Sequence, residues 1–201
     1  MNEKFFDLNR EKQDRMINAA LKIFAQNGYR HASTDVIVKE AGISKGLLFH
    51  YFTSKKGLYV FLFDYSVKYM LFEYSRTISQ KETDYFKIRK EIEAAKLNVL
   101  RNYPYMNQFI EKGLLENQLD VIEETEETRN IYLTQMAAYY AQGKKGKLRK
   151  GIDDEKLETL IRYSVDGLTK DQVRTDSYQP EMLYEQICEY LDVIRTIAIE
   201  E

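Results

Sequence analysis

Apolar residues recur at spacings of three and four along almost the whole chain, and no segment alternates strictly between apolar and polar residues. This periodicity is typical of α-helices that bury one face, and half-buried strands would show a period of two. Only two prolines and nine glycines occur in 201 residues, which favours long helices over a turn-rich sheet protein. The pattern therefore predicts an all-α fold of about nine helices.

The first and fourth helices frame the N-terminal part of the chain. The first is predicted over about Arg10–Gln26 and ends near Gly28, since glycine suits the left-handed cap of a helix. Ser54 is a candidate cap for a long fourth helix that runs to about Ser79. This fourth helix contains LYVFLFDYSVKYMLFEY, in which the large apolar residues are too many for one face. It is therefore predicted to be central to the fold.

Two short helices lie between them. Ser33 or Thr34 can cap the segment DVIVKEA, which Gly42 ends, and Ser44 can cap the following segment KGLLFHYF. A helix, a turn of about three residues with a glycine, and a second helix form the arrangement in which the second helix can enter the DNA major groove.

Five further helices follow in the remaining sequence. They are predicted at about Asp84–Asn102, Pro104–Gln118, Asp120–Gln142, Asp153–Asp171 and Pro180–Ala198. Both prolines suit a first helical position, where the missing N–H costs nothing.

The net charge of −2 hides an asymmetry along the chain. Residues 1–56 carry ten Lys/Arg and six Asp/Glu, a balance of +4, so the other 145 residues carry −6. An excess of this kind suggests that the N-terminal piece faces a polyanion.

Several classes of protein are disfavoured by the same composition. The single cysteine, Cys188, cannot form an internal disulfide or a multi-thiolate metal site. The first fifteen residues lack the apolar core of a secretion signal, and no run of about 18 apolar residues could span a bilayer. We therefore expect a cytoplasmic protein.

The sequence TDVIVKEAGISKGLLFHYFTSKKGLY resembles the N-terminal DNA-binding region of the TetR family of bacterial transcription regulators, and the resemblance extends from the first helix to about Met70. It implies a helix-turn-helix motif at 33–52 within a DNA-binding domain at 10–70. Residues 71–201 are then expected to form a helical domain for effector binding and dimerisation. The implied function is that of a dimeric, sequence-specific repressor that a small molecule releases from a palindromic operator.

The resemblance and the helical period together assign the faces of the third helix. Leu48 and Phe52 lie four residues apart and are expected to seat this helix on the first two. The residues expected to face DNA are Thr34, Ser44, Lys45, Gly46, Leu47, Phe49, His50, Tyr51 and Lys55. Phe49 stands where the family usually has tyrosine, and Leu47 where a small or polar residue is common, so the operator sequence does not follow from the resemblance.

The last two helices have wide apolar coverage, which suits a four-helix interface across a two-fold axis. The expected interface residues are Leu157, Ile161, Ser164, Leu168, Leu183, Ile187, Leu191 and Ile194. The alternative is that both helices belong to the monomer core.

Aromatic residues and methionines, which suit a pocket for an apolar or aromatic effector, concentrate in three places along the chain. The candidate effector contacts are Phe61, Tyr65, Tyr103, Met106, Phe109, Tyr132 and Met136.

Enzymatic sites find no support in the sequence. Segment GKKGKLRKG at 143–151 lacks the spacing of a phosphate-binding loop, and neither His31 nor His50 can be paired with Cys188 as base and nucleophile. No metal-ligand spacing is present, so we expect no cofactor and no catalytic residue. The alternatives are an activator or a regulator without an effector, and a helical interaction protein or enzyme that keeps a vestigial DNA-binding motif.

Overall fold

The computed structural model of the chain describes residues 3–173 and 179–200. Within them it has nine α-helices and a short 3₁₀ helix, so the all-α prediction is confirmed for this part of the chain. The 3₁₀ helix, η1, covers Glu3–Phe5. The α-helices are α1 Arg10–His31, α2 Thr34–Ala41, α3 Lys45–Phe52, α4 Lys55–Thr77, α5 Tyr85–Leu100, α6 Met106–Leu114, α7 Leu119–Gln142, α8 Asp154–Val173 and α9 Pro180–Ala198.

Several helix boundaries differ from the sequence-based prediction, including the end of α6 at Leu114 and not at Gln118, and two of them show why. α1 does not end at Gln26, because the chain breaks at Gly28 (φ 69°, ψ 174°) and resumes helical geometry to His31. α6 begins at Met106 and not at Pro104, since residues 101–105 form turns between α5 and α6. In both places a glycine or proline correctly indicates an interruption of the helices, but the packing around it determines how many residues the interruption covers.

The chain divides into two compact units. Unit 1 comprises Met1–Phe72 and Val99–Thr134, and unit 2 comprises Glu73–Asn98 and Gln135–Glu201. The boundary predicted between residues 70 and 71 stays a prediction.

In unit 1, α1 packs against both α2 and α6. The rings of Phe24, Tyr59 and Phe109 contact one another with centroids 5.0–6.1 Å apart, and all three side chains are buried. Two of these contacts, those of Tyr59 with Phe24 and Phe109, are edge-to-face and add to the free energy gained by burying the rings. They join α1, α4 and α6 into one core.

In unit 2, α8 and α9 pack against each other, and Tyr85 and Phe86 at the start of α5 complete the core. The loop before α8 is tied to the end of α9 by backbone hydrogen bonds from Arg149 N to Ala198 O (2.9 Å) and from Glu200 N to Lys147 O (2.9 Å). None of the helices in the described residues combines the length and apolarity needed to cross a membrane.

Candidate nucleic-acid interface

Helices α2 and α3 form a helix-turn-helix. Gly42 ends α2, as the sequence predicts, and does so in the left-handed conformation (φ 63°, ψ 41°), while the amide of Ile43 donates to the Val38 carbonyl (3.0 Å). Ser44 then caps α3, since its Oγ accepts a hydrogen bond from the Leu47 amide (3.2 Å). The tight turn fixes the direction of α3 relative to α2.

The inner face of α3 packs against the rest of unit 1. Leu48 and Phe52 are buried, and so are Ile37 and Ala41 of α2. Leu48 and Phe52 are thus buried as predicted, but so is Tyr51, which was expected to face DNA.

The outer face of α3 begins at its N-terminus. Ser44, Lys45, Gly46 and His50 are exposed, whereas Thr34, Leu47 and Phe49 are half-buried. Exposed donors and a cation therefore accompany half-buried apolar side chains in this region, which is the mixture that base and phosphate contacts require.

Lys45 has an intramolecular partner on this surface. Its Nζ lies 2.8 Å from Asp35 Oδ1, and the side chains are 50% and 70% exposed. Exposed ion pairs are weak and exchange readily with solvent. A phosphate or base acceptor must therefore compete with Asp35 for the ammonium group.

The last two predicted DNA contacts, Tyr51 and Lys55, also have partners within the chain. Tyr51 is only 8% exposed, and its ring packs against Phe5 (centroids 5.8 Å apart). Lys55 Nζ donates to the carbonyls of Arg30 (3.1 Å) and Ala32 (2.9 Å), and its burial lowers the pKa of the ammonium group. Their phosphate contacts stay predictions, and both residues help to hold the motif together.

Phe5 is a residue of this region that sequence reasoning missed. It is fully buried, and its ring contacts Phe52 (5.1 Å) and Phe61 (5.3 Å) besides Tyr51. The segment η1 thus packs against the buried side of α3 through Phe5. The only signal was the pair of phenylalanines in EKFFD, which has no helical period around it.

The turn from α3 into α4 is geometrically demanding. Thr53 has a positive φ of 64°, which side chains branched at Cβ rarely adopt. Ser54 Oγ accepts from the Gly57 amide (3.0 Å), so the predicted cap of α4 is present. A Cβ atom on Gly57 would lie 2.2 Å from the Phe52 carbonyl oxygen, so this turn requires glycine.

The predicted effector residues lie mainly in the core of unit 1. Phe61, Tyr103, Met106, Phe109, Tyr132 and Met136 are buried, Tyr65 is half-buried, and Met136 belongs to unit 2. The Tyr103 hydroxyl donates to Asp14 Oδ1 (2.8 Å) and shares a hydrogen bond with Tyr65 (2.9 Å). Burial, followed by these bonds, raises the pKa of Tyr103, so its hydroxyl stays neutral.

Each unit has a surface groove among its described residues. The groove of unit 1 is lined by Arg15, Lys22, Arg101 and Tyr105 among others, and the groove of unit 2 by Tyr140, Lys145 and Asp154 among others. Neither includes any predicted effector residue. Nor do the described residues contain a group of three or more His, Cys, Asp or Glu that could hold a metal ion.

Most of the residues predicted for the dimer interface are buried within the single chain. Six of them are at most 4% exposed because α8 and α9 pack them against each other and against Tyr85 and Phe86. These six are Leu157, Ile161, Leu183, Ile187, Leu191 and Ile194. Side chains buried within one chain cannot form the contact surface for a second one, while Ser164 and Leu168 are half-buried.

Exposed apolar side chains flank the buried stripes of α8 and α9. They are Leu160, Tyr163, Met182, Tyr190, Val193 and Ile197, each between 41% and 64% exposed. Large apolar residues gathered on one face are typical of protein interfaces.

Comparison with known proteins places the helix-turn-helix in a family. Residues 16–60 match the family of bacterial regulatory proteins described as the tetR family. The chain is 31% identical over 118 residues to the uncharacterized HTH-type transcriptional regulator YuxN of Bacillus subtilis, covering 59% of this chain but only 39% of that relative. It is 23% identical over 168 residues to the fatty acid metabolism regulator protein of the same organism, covering 83% of this chain and 86% of the relative.

Solved structures share the fold over nearly the whole chain. A TetR family transcriptional regulator from Chloroflexus aurantiacus aligns with a TM-score of 0.68 at 21% identity, covering 100% of this chain and 99% of that one. The regulator FadR of Bacillus subtilis, solved in complex with stearoyl-CoA, aligns with a TM-score of 0.56 at 18% identity, covering 88% and 96%. The N-terminal helix-turn-helix followed by a helical remainder is thus common to these proteins.

Proposed function

We propose, from the match of residues 16–60 to the TetR family of bacterial regulatory proteins and from the likeness to named regulators, that the chain is a dimeric transcriptional repressor released from its operator by a small-molecule effector. The observation that carries the proposal is the exposed outer face of α3, with Lys45, Gly46 and His50, on a helix-turn-helix whose inner face is buried. The matched family and the names of the relatives indicate a regulator and not an enzyme.

In this proposal α3 enters the major groove. Lys45 reaches base acceptors or phosphates, while Leu47 and Phe49 contact thymine methyl groups or sugars, because neither side chain can make a bidentate base contact. Thr34, Ser44, Tyr51 and Lys55 are proposed to lie near phosphates. Residues 10–70 are proposed as the DNA-binding domain and 71–201 as the effector-binding and dimerisation domain.

Two copies of α3 must face successive half-sites of a palindrome, so the protein is proposed to act as a dimer. The exposed stripe formed by Leu160, Tyr163, Tyr190, Val193 and Ile197 is the proposed contact surface, since two copies of it would bury otherwise exposed apolar side chains.

The effector is proposed to be an apolar or aromatic molecule. The solved FadR with stearoyl-CoA, and the relative named for fatty acid metabolism, support a ligand with an apolar chain. Binding among Phe61, Tyr65, Tyr103 and Met106 requires these packed side chains to move apart, which would alter α4 as it leaves α3. The cytoplasm, where DNA is accessible, is the proposed location.

DNA binding tests the proposal directly. Purified protein freed of ligands is titrated by fluorescence anisotropy against the DNA upstream of its own gene and against random DNA of equal length. We expect preference for the upstream DNA, weakened by salt because phosphate contacts displace counterions.

Lys45→Met should weaken specific binding at least about fivefold, since one base contact contributes roughly 1–3 kcal/mol. Lys68→Met is the matched control, because Lys68 is an exposed α4 lysine that also pairs with an aspartate (Nζ to Asp64 Oδ2, 2.8 Å). The proposal fails if the unmodified protein binds both DNAs equally.

A further inference from the structure

The break in α1 at Gly28 separates a long helical segment from a short one that ends at His31. Helix ends expose carbonyl and amide groups that need partners, with negative partial charge at a C-terminus and positive partial charge at an N-terminus. Here α6 and the residues just after it supply those partners.

Lys112 of α6 binds the end of the first segment. Its Nζ donates to the Ala25 carbonyl (3.1 Å) and to the Gln26 carbonyl (2.9 Å). A lysine is the charge that a helix C-terminus favours. The Lys112 Cε is also the nearest neighbour, at 3.7 Å, of the position that a Cβ on Gly28 would take.

Glu116 binds the start of the second segment. Its Oε2 accepts the Tyr29 amide (3.2 Å), and its Oε1 accepts the amides of Asn117 (3.0 Å) and Gln118 (3.3 Å). Both carboxylate oxygens are thereby used, so the position of Tyr29 is tied to the turn that precedes α7. Lys112 and Glu116 together act as a clasp of opposite charges around the break.

The clasped segment leads directly into the helix-turn-helix. Lys55 Nζ holds the carbonyls of Arg30 and Ala32, and the Tyr29 ring packs on Tyr59 with centroids 5.2 Å apart. Residues 29–32 are therefore held from two sides, by α4 and by the clasp, immediately before α2 begins. Their direction sets where α2, and with it α3, points.

We infer that Lys112 and Glu116 are positioning residues for DNA binding, which act by fixing the angle of α1 at Gly28 and touch no DNA themselves. The inference rests on the proposed function. It makes the segment from α6 to α7 a determinant of operator affinity, although none of its residues belongs to the helix-turn-helix.

The test uses full-length Lys112→Met, Glu116→Gln and the double variant, measured for affinity to operator DNA and to random DNA. Each single variant is expected to lose operator affinity on the order of fivefold. Random-DNA affinity should change less than twofold, since Lys45, the lysine of α3, remains. The double variant should lose less than the product of the two single losses, because both residues hold the same break.

Two controls separate positioning from general loss of structure. Lys112→Arg, which keeps a donor and the charge, should restore most of the operator affinity, and Lys68→Met should leave it unchanged. Circular dichroism melts establish that each variant is folded. A folded Lys112→Met and Glu116→Gln with unchanged operator affinity would overturn the inference, as would equal losses on operator and random DNA. Failure of the unmodified protein to prefer its operator would instead overturn the proposed function.

Discussion

At the scale of single residues, the exposed ion pair between Asp35 and Lys45 bears most directly on DNA binding. Asp35 stands at the start of α2, next to the surface that α3 presents. Its charge holds the ammonium of Lys45 and also repels phosphates. The interface therefore contains an element that opposes binding to any DNA, which is one way to limit non-specific affinity.

Asp35→Asn should raise affinity for both operator and random DNA, on the order of threefold at low salt, because a weak competing pair and one like charge are removed. Anisotropy titrations at two salt concentrations measure the effect, which should shrink as salt increases. Glu40→Gln is a suitable control, since Glu40 also pairs with a lysine of unit 1 (Oε1 to Lys22 Nζ, 2.6 Å) but lies at the other end of α2. Unchanged affinity in Asp35→Asn would show that Lys45 is not engaged by DNA.

Residue roles were predictable where they depend on local sequence. The cap at Ser44, the end of α2 at Gly42 and the burial of Leu48 all follow from the period and from turn chemistry within ten residues. The tertiary partners of Tyr51 and Lys55 were not predictable, because Phe5 and the Ala32 carbonyl lie more than twenty residues away and carry no pattern.

At the scale of elements, the start of α5 is fixed by one side chain. Asp84 Oδ1 accepts the amides of Phe86 (2.9 Å) and Lys87 (3.1 Å), while Oδ2 pairs with Arg195 of α9 (2.8 Å). Burial acts to raise the pKa of Asp84, but these donors together outweigh it and lower the pKa below its ordinary value. The residue thus caps α5 and joins it to α9.

Asp84→Ala should lower the free energy of unfolding by about 1–2 kcal/mol at pH 7, the usual cost of losing a helix cap. Because the folded pKa is lowered, this contribution is complete above the unfolded pKa of about 4 and is lost as the pH falls through the folded pKa. Urea unfolding at neutral and acid pH measures it. Asp166→Ala, an exposed position of α8, should change stability by less than about 0.5 kcal/mol, and an equal loss in both variants would contradict the capping role.

The orientation of α8 and α9 could not be predicted, although their existence could. Both helices are apolar on two faces, so the period identifies two candidate stripes without saying which one is buried inside the chain. Tyr85 and Phe86 decide this by packing against Leu157, Ile161 and the inner residues of α9. A contact at this separation in sequence carries no local signal.

At the scale of the whole molecule, the outer stripe of α8 and α9 leads to a prediction about assembly. Val193→Asp places a charge at the centre of the exposed apolar residues of α9, and dimerisation would bury that charge without a partner. We expect the variant to sediment as a monomer and to lose specific DNA binding. Leu119→Asp, at a position that is 75% exposed at the start of α7, should remain dimeric. If the Val193→Asp variant remains a dimer, the dimer interface does not include this surface.

The charge asymmetry of the chain and its division into units show how far the overall organisation could be predicted. The excess of +4 in residues 1–56 correctly marks the part that contains the helix-turn-helix. Unit 1 also contains Val99–Thr134, which sequence order alone would assign to the second half. Contacts such as those of Lys112 with Ala25 and Gln26 bring this distant segment to α1. The apolar periodicity of the segment does not predict these contacts.

The glycine at position 57 has a consequence for how the protein can change by mutation. Every missense change of a glycine codon adds a Cβ atom, and at this position any Cβ meets the Phe52 carbonyl oxygen at 2.2 Å. No residue other than glycine therefore fits at position 57 without displacing the backbone. A single nucleotide change at codon 57 can therefore disrupt the junction between α3 and α4, and substitution at this position offers no gradual route to a new angle between the two helices.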